Sequence, residues 1–554
     1  MIDSEINPIT LEIWWSRLIA IADEAAATLL RTSFSTVIRE SNDYVTVLMD
    51  ADGETIGECT LGIPAFAALV GRATRAMLDR FPASTWREGD VVMTNDPWIG
   101  TGHLPDIVVV APIFHHGALV GFSGSAAHAP DIGGTFKEGP TELIEEGVLI
   151  PPVRLYRAGE LNDDLVQLLL ANIRLKDIVF GDIEAQVNAN EVCRRRAVEF
   201  LEDTGEPDFK RLGRAVTGLA ERAMRAAIAG LPNGVYGGAI EADGVGDQPT
   251  RIACAVTIAG DDITVDYDGS SPQVAYAINS TLNYTRAYTI YPLKCLLDPF
   301  TRRNEGSYRP IRVTAPAGTI LNPTAPAPVM ARHLTGHLLS CALFQALSPL
   351  MPERVVADSG GAPALRAHFS GRTADGGRFG QLLFASAGMG ASAERDGLST
   401  TAFPTNSGAG SVEAMETVSP LLFLRKAFRP DSGGAGRQRG GLGQDCEILN
   451  AAATPIQMVL LGDRERHPAL GIMGGGAGAP ALAAHRDGRT VPMKSRSLIQ
   501  PGESVTLSFP GGGGYGPPAD RPVAAVETDL KRGVVTTDAV RRDYPTQALA
   551  LGLK

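Results

Sequence analysis

The sequence predicts a mixed α+β multidomain protein: an N-terminal α/β part carrying a metal site on antiparallel hairpins, then a β-rich, glycine-heavy C-terminal part. Three observations lead there. Apolar residues in the first 229 positions recur mostly at helical spacing, interrupted by β-branched runs that end in turn residues. From Gly230 the spacing switches to the two-residue alternation of strands. The 62 Gly and 37 Pro are loaded toward the C-terminus as short motifs between β-like runs. At 554 residues the chain is too long for one simple core. The expected division is 1–229 for the metal-site domain, 230–350 for a central α+β region and 351–554 for the C-terminal region.

Asn7-Pro8 opens the first helix, with Asn as N-cap and Pro at the first helical position, and apolar spacing continues to about Arg31. A polar run, Arg39-Glu40-Ser41-Asn42-Asp43, feeds a strand from Tyr44 to Met49 that turns at Asp50–Gly53. Pro64 to Phe81 reads as an amphipathic helix and Asp90 to Thr94 as a strand. Helices are expected at Asn162–Asp177, Ile183–Asp203 and Phe209–Ala229, and Glu142–Pro152 reads as a lid or edge. Further on, strands at Ile252–Ile258 and Ile263–Tyr267 turn around Gly260-Asp261-Asp262. Thr285–Leu297 and His333–Leu350 read as helices. The clusters at 388–397, 430–443, 474–478 and 511–516 read as glycine-rich turns.

The stretch from Asp96 to Gly134 holds the candidate chemistry. Ile107–Phe114 and Ala118–Ala126 are two extended runs joined by His116-Gly117, a tight-turn pair, so they read as a hairpin. Folding it about residue 117 sets Asp106 opposite His128, with His103 three residues upstream. Asp43 stands at the mouth of another strand. Asp43, His103, Asp106 and His128 together are a ligand set for a borderline divalent metal such as zinc or manganese, with a position left for water or substrate. The ordinary alternative is a loop His and a turn-capping Asp. His115 and His116, at the opposite end, read as a solvated turn.

Other classes are disfavoured. With 62 acidic against 50 basic residues and a net charge of −12, the chain is a poor ligand for nucleic acid or an anionic membrane. No apolar run approaches the ~18–20 residues of a membrane span, and Met1–Glu5 has no basic-then-apolar leader pattern. Six scattered cysteines without a Cys-x-x-Cys pair suit reduced thiols in the cytoplasm. There is no G-x-x-x-x-G-K-[ST] phosphate loop and no G-x-S-x-G elbow. Gly511, Gly513 and Gly516 match G-x-G-x-x-G, but Pro517-Pro518 follows where a helix is required.

Several segments resemble the hydantoinase B/oxoprolinase family, the B-type subunit of ATP-dependent hydantoinases and 5-oxoprolinases, related to acetone and acetophenone carboxylase subunits. They are Asn7–Glu12, Arg31–Ser35, Asn95–Pro97 through His103–Asp106, Ala127-His128 with Asp131–Gly134, Asn304–Gly306, Pro430–Gly441 and Pro510–Gly516. The resemblance implies a metal on residues matching Asp43, His103, Asp106 and His128. It also implies a hetero-oligomer with an A-type, actin-like ATPase partner that binds ATP and phosphorylates the substrate. The expected substrate is then a cyclic amide of hydantoin, N-methylhydantoin or 5-oxoproline type. The alternatives are a ketone carboxylase subunit acting on an enol phosphate and a scaffold subunit with a structural metal. Asp131, Glu40 and Asp96 are the candidate general bases, unranked. Many relatives carry a second His after the one matching His128, where this chain has Ala129-Pro130.

Overall fold

A computed structural model describes residues 6–135 and 139–553; Met1–Glu5, where no leader pattern is expected, lies outside them. Helix α1 (Pro8–Thr32) begins as the sequence requires, the Asn7 side chain accepting from the Ile9 amide. It is followed by α2 (Thr36–Arg39), β1 (Tyr44–Asp50), β2 (Thr55–Glu58), α3 (Pro64–Arg80), β3 (Val91–Thr94), β4 (Asp106–His115), β5 (Ala118–His128), β6 (Val153–Arg157) and β7 (Glu160–Leu161). These seven strands form one antiparallel sheet in the order β2-β1-β5-β4-β3-β6-β7. Both faces are covered. Val108 and Val110 face the core that includes α1 and α3, while Ile107 and Val109 face a second apolar cluster, which explains the unbroken apolar run of β4.

Three helices follow: α4 (Asp163–Ala171), α5 (Lys176–Thr204) and α6 (Lys210–Ala229). The sequence places a helix end at Asp177 and a start at Ile183. Instead the break falls at 172–175, because the Asp131 carboxylate takes the amides of Arg174 and Leu175, and α5 runs on without interruption. Next, β8 (Gly234–Val245), β9 (Gln248–Ala259) and β10 (Asp262–Asp266) form an antiparallel meander, extended in parallel by β11 (Ile311–Thr314). Between β10 and β11 lie α7 (Leu282–Leu297) and α8 (Glu305–Tyr308). The helix expected over His333–Leu350 is divided into α9 (His333–Gly336) and α10 (Leu339–Leu347).

The C-terminal part holds two antiparallel four-stranded sheets. One contains β12 (Arg366–Arg372), β13 (Arg378–Phe384), β16 (Ile456–Leu461) and β18 (Lys494–Ile499); the other contains β14 (Leu421–Phe428), β15 (Gln444–Asn450), β17 (Leu482–His485) and β19 (Ser504–Ser508). Their inner faces share a core that includes Phe369, Met458, Ile448 and Leu507. The fold class is therefore mixed α+β, as read from the sequence.

Gly474 and Gly516 turn the chain at positive φ, as expected of their clusters, but other glycines there have a different role. Gly388, Gly440, Gly441, Gly512 and Gly513 all have negative or extended φ. A Cβ on Gly440 would lie 1.9 Å from the Gly512 carbonyl oxygen, and one on Gly388 1.9 Å from that of Gly441. These loop segments hydrogen-bond backbone to backbone, Gly441 to Met389, Gly512 to Gly441 and Gly434 to Gly512. Glycine is needed there for close approach of main chains, not for turning. Among the described residues, no helix is long and apolar enough to cross a membrane.

Candidate metal centre

In the sheet, β5 lies between β1 and β4, so the residues at its end are flanked on both sides. Asp106 and His128 are directly paired across β4 and β5. A bulge at Ile113/Phe114 sets that register, since the turn itself pairs His115 with Ala118. On the other side the His128 amide donates to the Asp43 carbonyl at 3.1 Å. His103 arrives from a loop in which Gly102 has φ +96°, and a Cβ there would lie 2.8 Å from both Arg332 and Tyr284.

One oxygen gathers these groups. Asp106 Oδ1 lies 3.0 Å from His103 Nε2 and 2.8 Å from His128 Nδ1, and Asp43 Oδ2 is 3.8 Å from the latter. Ligand atoms of His103, Asp106 and His128 all lie within 4.8 Å of one another, and the three residues are buried. The other Asp106 oxygen accepts from Arg332 Nη2 at 2.7 Å, while Arg332 Nε donates to the Thr101 carbonyl. That guanidinium is 1% exposed and lies 4.1 Å from the Tyr284 ring centroid.

The tautomer of His103 follows from its partners. Its Nδ1 is 2.8 Å from the Met330 carbonyl, an acceptor only, so Nδ1 carries the proton and Nε2 the lone pair. Burial, then the Arg332 charge, lowers the His103 pKa to about 3, which keeps it neutral. Burial would raise Asp106, but the Arg332 guanidinium and the hydrogen bond from His128 hold it well below the usual carboxylate range. A lone pair therefore faces an anionic oxygen at 3.0 Å, and the buried Asp43 Oδ2 has no hydrogen-bond donor among the described residues. Electron-rich atoms brought this close in a dry site fit a cation among them, and two imidazoles with carboxylates suit zinc or manganese.

The support behind these candidate ligands is equally specific. Glu146, fully buried, accepts from the amides of Val329 (2.6 Å) and Met330 (2.8 Å), fixing the carbonyl that orients His103. Burial raises its pKa to about 8. The segment expected as a lid or edge is thus a buttress, tied to β3 through Asn95 and Ile150.

A cavity of about 110 Å³ opens beside His103 and His128. That is well above the ~10–15 Å³ one water needs, so a small organic molecule fits. Its walls include Ile132, Ala277, Leu382 and Val459, with His333, Arg366 and His368 as polar points. His333 is 1% exposed, and among the described residues neither of its ring nitrogens is hydrogen-bonded. Burial, then Arg366, holds its pKa well below the usual value; burial likewise lowers His368 to about 4.

The three acidic candidates for a general base fall in different places. Asp131 lines the cavity, but its oxygens accept from the amides of Gly133, Arg174 and Leu175 and from the Arg174 guanidinium. The Gly133 N–H is thereby engaged. Asp96 sits in a turn, its carboxylate accepting from the Trp98 amide, and Glu40 ends α2 with its backbone against Gly408; neither lines the cavity. His115 differs from the solvated turn expected, being buried with Nδ1 near the Pro207 carbonyl.

Arg332, His333, Arg366 and His368 are not singled out by the sequence. For the last two a signal exists: Arg366-x-His368-x-Ser370-x-Arg372 alternates polar with buried apolar residues, the pattern of a strand with one face on a cavity. Arg332 and His333 lie at the start of a short helix with no comparable pattern.

A family model described as Hydantoinase B/oxoprolinase matches residues 7–518. The chain is 30% identical to the B-type chain of a putative D-/L-hydantoinase from Pseudomonas sp. (strain NS671), over 98% of this chain and 95% of that one. It is 32% identical to the caprolactamase β-subunit of Pseudomonas jessenii, over 97% and 96%. The crystal structure of the ATP-dependent caprolactamase from that organism superposes with a TM-score of 0.91, covering 98% of this chain and 96% of that one. A nucleotide-free acetone carboxylase, 21% identical, shares the fold with a TM-score of 0.86 over 97% of this chain and 79% of its own.

Proposed function

The chain belongs to the hydantoinase B/oxoprolinase family, and from that premise we propose that it is the B-type subunit of an ATP-dependent cyclic-amide amidohydrolase. In this reading an A-type, actin-like ATPase partner binds ATP and phosphorylates the ring carbonyl oxygen of a hydantoin, oxoproline or lactam. This subunit hydrolyses the activated ring in the cytoplasm. The observation that carries the proposal is the convergence of His103, Asp106 and His128, with Asp43 Oδ2 3.8 Å from His128 Nδ1, beside a small, mostly apolar cavity lined by the two imidazoles.

A resonance-stabilised amide is a poor electrophile; phosphorylating its oxygen yields an imidate-like ester with a good leaving group. Asp43, His103, Asp106 and His128 would hold the divalent cation, zinc or manganese. Bound there, it supplies a Lewis acid for the developing oxyanion and lowers the pKa of a water toward ~7. The apolar wall of Ile132, Leu382 and Val459 takes the carbon skeleton of the ring and keeps bulk water out. His333, which lines the cavity and has both ring nitrogens uncommitted among the described residues, is the proton acceptor we favour over the carboxylates. Asp131, saturated by four donors, holds the 131–134 loop in place, and Glu40 and Asp96 serve the fold. Burial of Arg366 beside Asp43, 3.8 Å away, limits the net negative charge of the ligand set.

The test is reconstitution with the A-type partner, followed by ATP hydrolysis and ring opening across hydantoins, 5-oxoproline, lactams and ketones. ATP- and partner-dependent opening of a cyclic amide is expected. Incorporation of labelled bicarbonate into a ketone would replace this reading with the carboxylase one. A metal retained without any turnover would favour the scaffold role.

A further inference from the structure

One face of the β12–β13–β16 sheet forms a continuous floor. In β12, Arg366 and His368 lie in the cavity beside the metal ligands, while Ser370 and Arg372 lie in a second, larger cavity of about 380 Å³. Their cross-strand partners follow the same division: Leu382 and Val459 stand opposite His368, and Gly380 and Gln457 stand opposite Ser370. The opposite face, including Ala367, Phe369 and Met458, is core. The two cavities share a wall at Pro130 and Asp131.

The outer cavity is cationic. Arg174, Arg372 and Arg378 line it, and Asp131 is the sole carboxylate lining it among the described residues, already held by four donors. Arg372 and Arg378 are direct cross-strand partners. Like charges placed opposite one another destabilise a hairpin, and no carboxylate among the described residues pairs with either; among those residues the Arg372 side chain donates only to the Gly376 carbonyl. In a chain of net charge −12 these two arginines are a local surplus of guanidinium that the fold itself does not use.

We propose that this outer cavity is a vestibule that binds the phosphate group of the activated substrate while its ring reaches the inner cavity. Planar guanidinium forks match phosphate oxygens in pairs, and Ser370 and Gln457 add neutral hydrogen-bonding groups. The ligand is thus an organic phosphate with a compact apolar ring, an assignment that rests on the amidohydrolase reading above.

Calorimetric titration of the full-length protein at low ionic strength, with inorganic phosphate and with phenylphosphonate, tests it. Phenylphosphonate should bind about fivefold tighter or better, because its ring gains the apolar inner cavity. The Arg372→Gln/Arg378→Gln double variant should bind it about tenfold more weakly or worse, with unchanged metal content and melting temperature. Arg72→Gln, outside both cavities, should bind as the parent does. No binding of either probe at millimolar concentration, or binding indifferent to the double variant (an adventitious ion only), would overturn the proposal. Equal affinity for both probes would overturn the assignment to an activated substrate in favour of free phosphate. If the vestibule fails while ATP-dependent ring opening persists, the functional reading stands; if the anions bind as expected and no ring is opened, that reading falls and the anion site stands.

Discussion

His103 Nε2 stands 3.0 Å from Asp106 Oδ1, although the only proton on that imidazole is committed to Met330 on the far side of the ring. The pair has no attraction of its own in that state. It is held by the β4–β5 register, by Arg332 behind Asp106 and by the Met330 carbonyl behind His103.

Replacing either imidazole should remove a ligand of the proposed metal and leave the scaffold. His103→Ala and His128→Ala should each lose bound metal and reduce turnover by about three orders of magnitude or more, since a ligand contributes directly to the ion's chemistry. The stability cost should be only about 1–3 kcal/mol, chiefly from buried groups left unpaired. Elemental analysis with far-UV circular dichroism reads both; unchanged metal content in both variants would refute the assignment.

Arg332 is a different case, because removing it strands a buried carboxylate. Arg332→Met should cost about 3–5 kcal/mol. Arg332→Lys should recover little, as one ammonium cannot serve both Asp106 and the Thr101 carbonyl as the guanidinium fork does. Denaturant midpoints of the soluble fraction measure this.

Glu146 makes stability depend on pH. Its folded pKa, raised to about 8 by burial against an ordinary 4.5, means the native state holds a proton that the unfolded chain releases between those values. Stability from this group is therefore fully present below about pH 4.5 and declines as pH rises toward 8, with a slope of up to about 1.4 kcal/mol per unit. Glu146→Gln keeps the acceptor for Val329 and Met330 without the titration. Urea midpoints at pH 5, 6.5 and 8 should fall less steeply for the variant than for the parent; parallel curves would contradict this.

Gly440→Ala should abolish soluble expression or cost several kcal/mol, because its Cβ would meet the Gly512 carbonyl at 1.9 Å. Gly488→Ala, at φ +88° with open space around it, should cost only about 1–2 kcal/mol of backbone strain. Comparing the two melting temperatures separates close approach from backbone conformation.

The part of the site visible in the sequence is the part built by local register. Two extended runs around a tight turn bring Asp106 to His128, and Asp43 precedes a strand that pairs with the same neighbour. Arg332 and His333 come from more than 200 positions downstream of the hairpin, and only packing brings them there. Nor could composition distinguish a glycine that turns from one that lets two main chains touch: Gly440 and Gly488 look alike until their surroundings are known. The start of α5 is hidden for a related reason, since a carboxylate from a distant loop, Asp131, decides where the chain breaks.

The proposed chemistry requires one cation among two imidazoles and two carboxylates. Anomalous diffraction from crystals of the purified protein, collected on both sides of the zinc and manganese absorption edges, tests it most directly. The account predicts a single peak within bonding distance of His103 Nε2, Asp106 Oδ1 and His128, with Asp43 turned toward it and one position open to the cavity. Four side chains satisfied by one another and by water, with no anomalous peak among them, would contradict it.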